Sequence, residues 1–268
     1  MSQIKVVVNG ALGRMGQQVV SAVAAEPDLV LVGAADIKAA DRDHLSAPAL
    51  NKKVPLHSAL ISVIEMFHPD VVVDFTTAEA ALNSARLALK NGSNIVMGTT
   101  GLSDKDIKEI DALAQEYHKG AVVAANFAIG AVVLMHLAKI AAKYFDNAEI
   151  IELHHDKKVD APSGTALATA RLMSEARGKP FIYPVTEKET LKGTRGGQNN
   201  GLAIHSVRLP GLVASQEVIF GALGQTLSIR HDTINRECFM PGVMLAVKQV
   251  VKRHGLVYGL DSLLNLGD

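Results

Sequence analysis

The sequence has a single cysteine, Cys238, so no disulfide can form within the chain. That suits a reducing compartment, and the residue reads as a small buried apolar side chain. No uncharged apolar run of about 18 residues is present, the length a membrane-crossing helix needs, and no membrane partner is expected. Charge of one sign is also missing, since 27 Lys and Arg balance 27 Asp and Glu. A formal net charge of zero gives no support to nucleic acid or an anionic surface as the main partner. The start, Met1-Ser2-Gln3-Ile4-Lys5, lacks the charged, apolar and cleavage regions of a secretory signal. No internal repeat or low-complexity segment occurs.

What the chain does have is apolar bulk, 48% of 268 residues. That is enough for two modest domains or one large one. In the first half, short β-branched runs alternate with helical stretches. Residues 4–8, 29–35, 71–75, 94–97 and 121–125 read as strands, and 79–90 and 104–117 as helices. Met15, Val19, Ala22 and Val23 recur at helical spacing after the first strand. Ser103 is a plausible helix cap, because its hydroxyl can accept from a first-turn amide. The run at 121–125 closes the series. Alternating β and α units predict a doubly wound parallel α/β sheet of Rossmann type.

The pattern changes after Asn126. Helices are expected at 130–143 and 165–177, a strand at 148–154, and a polar, glycine-rich stretch at 192–201. Strands at 202–208, 215–221 and 225–231 then follow without intervening helices, which predicts a mixed or antiparallel sheet. A helix at 241–254 with Val243, Val247, Val250 and Val251 on one side returns to the first domain. The expected organisation is a dinucleotide-binding domain of residues 1–126 plus 240–268, and a second α+β domain of residues 127–239.

The first strand runs into Asn9-Gly10-Ala11-Leu12-Gly13-Arg14-Met15-Gly16. Gly10 can make the tight turn, Gly13 lets the backbone approach a pyrophosphate, and Gly16 allows close helix–strand packing. Leu12 stands where the usual fingerprint has a glycine. Asp36 ends the second strand and can accept hydrogen bonds from an adenosine ribose. Arg14 and Lys38 sit where a ribose 2′-phosphate could be met, or are solvated surface charges, so NADPH and NADH both remain open. Asp74-Phe75-Thr76-Thr77, Gly98-Thr99-Thr100-Gly101 and Ala124-Ala125-Asn126-Phe127 follow three other strands. Ligands bind at this carboxyl edge of an open sheet.

The most informative stretch is Glu152-Leu153-His154-His155-Asp156-Lys157-Lys158-Val159-Asp160-Ala161-Pro162-Ser163-Gly164-Thr165-Ala166. Two histidines end a strand, a lysine pair follows, and a turn opens a helix that Asp160 or Ser163 can cap. The Gly164 and Thr165 amides, with the positive end of the helix dipole, make a site for a carboxylate. His154 titrates near neutrality and can exchange a proton. Lys158 can donate a proton or hold an anion. Anion capture beside a proton donor suits reduction of a polarised C=C or C=N bond. His154-His155-Asp156 is disfavoured as a metal site, because adjacent strand residues point to opposite faces, and no metal is expected.

The run from His154 to Ala166, with Gly10 to Gly16 and Gly98 to Gly101, closely resembles the dihydrodipicolinate reductase family, also called 4-hydroxy-tetrahydrodipicolinate reductases. The similarity spans nearly the whole chain, including His205-Ser206-Val207-Arg208-Leu209-Pro210-Gly211 and Arg236-Glu237-Cys238-Phe239-Met240-Pro241-Gly242. The resemblance implies His154 as proton donor or acceptor and Lys158 as proton donor. It implies that His155, Gly164 and Thr165 bind a small cyclic dicarboxylate. It assigns Gly10, Ala11, Leu12, Gly13, Arg14, Met15, Asp36, Gly98, Thr99, Thr100, Ala124, Ala125, Asn126 and Phe127 to NADPH or NADH, beside the Lys38 position noted above. It further implies a cytoplasmic homotetramer in diaminopimelate and lysine biosynthesis, with subunit contacts made by the second domain. Two other readings compete: an amino-acid or aldehyde dehydrogenase of similar build, and a non-catalytic dinucleotide sensor. An acylating aldehyde enzyme needs a nucleophilic cysteine, which the apolar setting of Cys238 disfavours. A sensor has no need of His154 with Lys158.

Overall fold

The protein is described by a computed structural model covering residues 3–39, 42–45 and 53–266. Met1 and Ser2, which begin the segment read above for a secretory signal, lie outside those residues. In chain order the elements are β1 (Ile4–Asn9), α1 (Arg14–Ala25), β2 (Leu29–Ala35), β3 (His44–Leu45), β4 (Val54–His57), α2 (Leu60–Phe67), β5 (Val71–Asp74), α3 (Ala78–Lys90), β6 (Asn94–Met97), α4 (Asp104–Glu116), β7 (Gly120–Val123), α5 (Ile129–Ala141), β8 (Asn147–His154), α6 (Gly164–Arg177), β9 (Gly197–Asn199), β10 (Leu202–Arg208), β11 (Ala214–Ala222), β12 (Gln225–Thr233), a 3₁₀ turn (Arg236–Phe239), α7 (Met240–Val250), β13 (Gly255–Tyr258) and α8 (Asp261–Leu264). They form two compact units, Met1–Ile129 with Arg236–Asp268, and Gly130–Asn235.

The first unit holds an eight-stranded sheet ordered β13-β7-β6-β5-β1-β2-β4-β3. All its pairings are parallel except β3 with β4. Val6 to Val8, Val71 to Val73 and Ile95 to Met97 are completely buried, as strands covered on both faces must be. This is why they read as unbroken apolar runs. The series does not close at 121–125: β13 pairs parallel with β7 and extends the sheet by one strand. The helix expected at 241–254 stops at Val250, and Gly255, at a φ of +81°, turns the chain into β13. Val243, Val247 and Val250 are buried as expected, while Val251 lies past the last turn and is half-buried. Cys238 is half-buried in the 3₁₀ turn rather than packed in a core. Ser103 caps α4 in a capping box with Asp106.

The second unit is built on a five-stranded mixed sheet ordered β12-β11-β8-β10-β9. The central β8 pairs parallel with β10 and antiparallel with β11. Alternation sorts its residues onto two faces. Ala148 and Ile150 join Leu202, Ile204, Val218 and Phe220 in a core with Leu134 and Ala138 of α5 and Ala166, Ala170 and Met173 of α6. Glu152 and His154 continue that covered row toward the strand's carboxyl end. The polar stretch at 192–201 contains β9, three exposed residues that pair with β10.

Candidate active site

In the first unit, cross-strand register places five strand ends in one row: Ala35, Asn9, Asp74, Met97 and Val123. The loops that follow therefore leave one edge of the sheet side by side. Gly10 turns at a φ of +77°, and its amide and that of Ala11 donate to the Ala35 carbonyl at 2.9 and 3.2 Å. Gly13 donates to the Gly10 carbonyl at 3.0 Å. A Cβ at Gly16 would lie 2.0 Å from that same oxygen, so only glycine allows α1 to pack this close to the turn. Gly13 is the N-cap of α1 and no side chain caps it, which leaves the amides of Arg14 and Met15 without a partner in the helix. Ala11 is buried, Leu12 and Met15 are half-buried, and Arg14 is exposed.

Asp36 is only 7% exposed. Its Oδ2 accepts from the Leu12 amide and its Oδ1 from the Lys38 amide, both at 2.9 Å. The carboxylate thus shapes the glycine loop directly, while the Lys38 side chain stays in solvent. Along the same edge, buried Asp74 accepts from Asn9 Nδ2 at 2.7 Å and from both the amide and hydroxyl of Thr76. Gly98 sits against Phe75: a Cβ there would lie 2.0 Å from the ring. Thr99 is buried and donates to the Thr76 carbonyl, and Thr100 is exposed. Ala124 and Phe127 are buried, Ala125 is exposed, and Asn126 accepts from the Ala128 amide at 2.9 Å. The Phe75 and Phe127 rings are 5.9 Å apart.

In the second unit, β8 delivers His154 at its last position and the chain turns into α6. Ser163, rather than Asp160, caps α6 by accepting from the Ala166 amide at 3.2 Å. The first two amides of the helix, Gly164 and Thr165, have no carbonyl one turn back to bond. Gly164 is exposed and a Cβ there would meet nothing within 4 Å. Packing does not demand glycine at this helix start; open space in front of two amides does fit a bound anion. His155 is half-buried beside this mouth in sequence, and its carbonyl accepts from the Lys158 amide. Lys158 Nζ donates to Asp160 Oδ1 at 2.7 Å.

His154 Nδ1 contacts Glu152 Oε2 at 2.5 Å. Burial lowers the imidazole below the usual histidine value of 6.5, reinforced by Lys158 and Arg208 and opposed by Glu152. Burial by itself would raise Glu152, yet hydrogen bonds from Arg208, Ser206 and His154 bring it below its ordinary 4.5. The site joins an imidazole held below its ordinary value, a lysine paired with Asp160 and the first two amides of a helix within one strand–turn–helix unit.

Two family models match: dihydrodipicolinate reductase, N-terminus, over residues 4–127, and dihydrodipicolinate reductase, C-terminus, over residues 130–264. The chain belongs to the dihydrodipicolinate reductase family. Relatives named 4-hydroxy-tetrahydrodipicolinate reductase include that of Dehalococcoides mccartyi, 50% identical over 99% of this chain and 100% of its own. That of Bacillus subtilis is 47% identical over 98% of both chains. Among solved structures, a dipicolinate-bound dihydrodipicolinate reductase from Paenisporosarcina matches with a TM-score of 0.87 and 42% identity, covering 97% of this chain and 99% of that one. An amine dehydrogenase from Mycobacterium smegmatis shares the fold alone, at 15% identity, a TM-score of 0.65, and coverage of 96% of this chain and 95% of its own.

In this dihydrodipicolinate reductase family member Glu152 and Arg208, which have no role among the sequence-based expectations, both contact the His154 segment. A signal for Glu152 was present: it lies two residues before His154 on a strand, hence on the same face, in a row otherwise apolar. Arg208 carried no local signal, because only the β8–β10 register pairs it with His154.

Proposed function

We propose that this chain reduces 4-hydroxy-tetrahydrodipicolinate to tetrahydrodipicolinate with NADPH or NADH, a step of diaminopimelate and lysine biosynthesis. The net reaction takes up a hydride and a proton and releases water. The observation that carries the assignment of roles is the strand–turn–helix unit that holds His154, Lys158 and the first amides of α6 in one short stretch, with Glu152 meeting both His154 and the Ser163 amide, in a chain that also has a glycine turn only glycine can close. The first unit is the dinucleotide-binding domain, and the second holds the substrate.

When bound, a reduced nicotinamide would supply the hydride. The Gly10–Met15 turn, Asp36, Lys38 and the segments Gly98–Thr100 and Ala124–Phe127 hold the dinucleotide. The amides of Gly164 and Thr165, at the positive end of α6, hold one carboxylate of the cyclic substrate, and His155 assists. The Lys158 ammonium donates the proton that accompanies hydride addition. His154, with Nδ1 turned to Glu152, takes up through Nε2 the proton lost from the carbon next to the hydroxyl-bearing one and passes it to the departing hydroxyl, which leaves as water. We further place the chain in the cytoplasm as a homotetramer assembled through the second domain. The edge strand β12 supports an assembly, since Leu227 is 39% exposed on it and Leu223 fully exposed beside it, and long uncovered edges invite pairing. Light scattering after gel filtration tests the assembly, and cell fractionation the location.

The roles are tested with freshly made substrate, each cofactor in turn, and His154→Ala and Lys158→Ala. Each variant is expected to lose roughly 10²-fold or more in turnover with cofactor binding intact. Near-normal turnover in both would remove the assignment.

A further inference from the structure

Glu152 is completely buried and has no role in the steps above. An isolated buried carboxylate is costly, and here four polar contacts from three groups compensate it. Arg208 donates to both oxygens, through one terminal nitrogen to Oε2 at 2.9 Å and through the other to Oε1 at 2.7 Å. His154 Nδ1 meets Oε2 at 2.5 Å, and the Ser163 amide donates to Oε1 at 3.2 Å. Arg208 reaches further, to the Asp160 carbonyl at 2.7 Å, and Asp160 is the residue that holds Lys158.

We infer that Glu152 and Arg208 are a positioning pair that fixes the His154 imidazole and ties it to the anion-holding start of α6. The inference rests on the reading of His154 as the proton-exchanging group and adds the residues that aim it. Two physical points carry it. First, a carboxylate only accepts, so the nitrogen facing Glu152 bears the hydrogen and Nε2 is left free for chemistry. Second, buried ion pairs are poor stabilisers compared with apolar residues of the same volume, so stability alone does not account for this one. One carboxylate instead sets two things at once: through Oε2 the imidazole, and through Oε1 the residue that caps α6. Arg208 holds the carboxylate in place and braces the turn between them.

The charged groups facing His154 are Glu152 from its own strand, Lys158 with its partner Asp160 from the following turn, and Arg208 from β10. On the β11 side its register neighbour is the uncharged Ala214. Removing the Glu152 charge leaves two cations and burial acting on the imidazole, so its affinity for a proton must fall.

The experiment compares the full chain with Glu152→Gln, which keeps the shape and removes the charge. Two quantities are read: the pH dependence of kcat, and the ¹⁵N shifts of His154 during a pH titration without substrate. The limb governed by His154 is expected to move about one pH unit or more to lower pH, and kcat at neutral pH to fall roughly tenfold or more, with the cofactor KM unchanged. Glu152→Asp, which restores the charge at a shorter reach, is expected to return the limb most of the way while kcat stays reduced. Should Glu152→Gln not fold, the double variant Glu152→Leu with Arg208→Met removes both buried charges and is expected to fold. His154 in it is expected to lose its single tautomer. A folded Glu152→Gln with the wild-type limb and titration, or a double variant with the wild-type tautomer, overturns the inference. The titration does not depend on turnover, so a near-normal His154→Ala would remove the catalytic role alone and leave the positioning result standing or falling by itself.

Discussion

Gly164→Ala separates binding from folding at the helix that opens after the Pro-Ser turn. A methyl at this position meets no atom within 4 Å, and residue 164 is the first of α6. Alanine loses less backbone entropy than glycine, by up to about 1 kcal/mol inside a helix and less at its first position. The melting midpoint is therefore expected to stay level or rise by up to about 3 °C. Helical Cβ atoms point toward the N-terminus, which here is the open mouth in front of the Gly164 and Thr165 amides. A substrate carboxylate held by those amides must give way to the methyl and lose at least one charge-assisted hydrogen bond, worth about 1.5–3 kcal/mol, or roughly 10- to 100-fold in affinity. On the proposed reading dipicolinate, the cyclic dicarboxylate bound in the Paenisporosarcina structure, competes with the substrate, and the assay is its inhibition together with calorimetric melting and the KM of each cofactor. The expected pattern is a weaker inhibitor, an unchanged cofactor KM and an undiminished midpoint. A variant that binds dipicolinate as tightly as the parent would take the carboxylate away from α6.

Gly16→Ala should act at the other end of the reaction. Its methyl would sit 2.0 Å from the Gly10 carbonyl oxygen, an overlap that costs about 1–3 kcal/mol; a lower melting midpoint and weakened NADH and NADPH binding by fluorescence titration are expected, and normal binding would count against the glycine turn as cofactor cradle. Acidification should destabilise the fold in two stages. His154 is held below 6.5, so the unfolded chain takes up its proton first and stability declines between 6.5 and the lowered folded value. Glu152 is held below 4.5, and its contribution, present above that value, is lost as pH falls through the folded one. Urea midpoints measured from pH 7 to pH 3 that rise on acidification would contradict both signs. Ser103→Ala removes the hydroxyl that caps α4 and should cost about 1 kcal/mol of stability without altering kcat or either KM.

Most of the first unit could be read from the sequence because its strands are buried on both faces. The runs 29–35 and 94–97 coincide with β2 and β6, since a continuous apolar run has sharp polar ends. Between Asp36 and Asp70 that signal fails. Pro55 interrupts β4, and α2, although Leu60, Val63, Ile64 and Phe67 keep helical spacing, is only eight residues long and apolar almost throughout. The exposed polar strand β9 has no hydrophobic signature at all; it exists because β10 offers it an edge. β13 is only four residues, Gly255 to Tyr258, too short a run after the expected helix end at 254 to mark a strand by itself, and its pairing with β7 is what makes it one. At the site, the groups linked by a single local turn were visible together. Arg208 lies 56 residues from Glu152, and its arrival there is a property of sheet register, which no local pattern encodes.

That division has a chemical logic. A residue that must touch a ligand benefits from a turn, where side chains and free amides face solvent; a residue that aims it benefits from a strand interior, where water does not compete. On the roles proposed above, β8 supplies both within three residues. Alternation buries Glu152 and brings His154 onto the same face at the strand's last position, where burial gives way to the open turn. The parallel neighbour β10 ends in register at Arg208, opposite His154, so the guanidinium arrives where a buried carboxylate most needs it. A sheet edge and a helix start placed end to end can thus hold a polarising anion site and a desolvated base, which a loop alone would leave hydrated. The cost falls on a carboxylate that must stay ionised in the dry interior, and that requirement, rather than stability, accounts for a guanidinium at the end of β10.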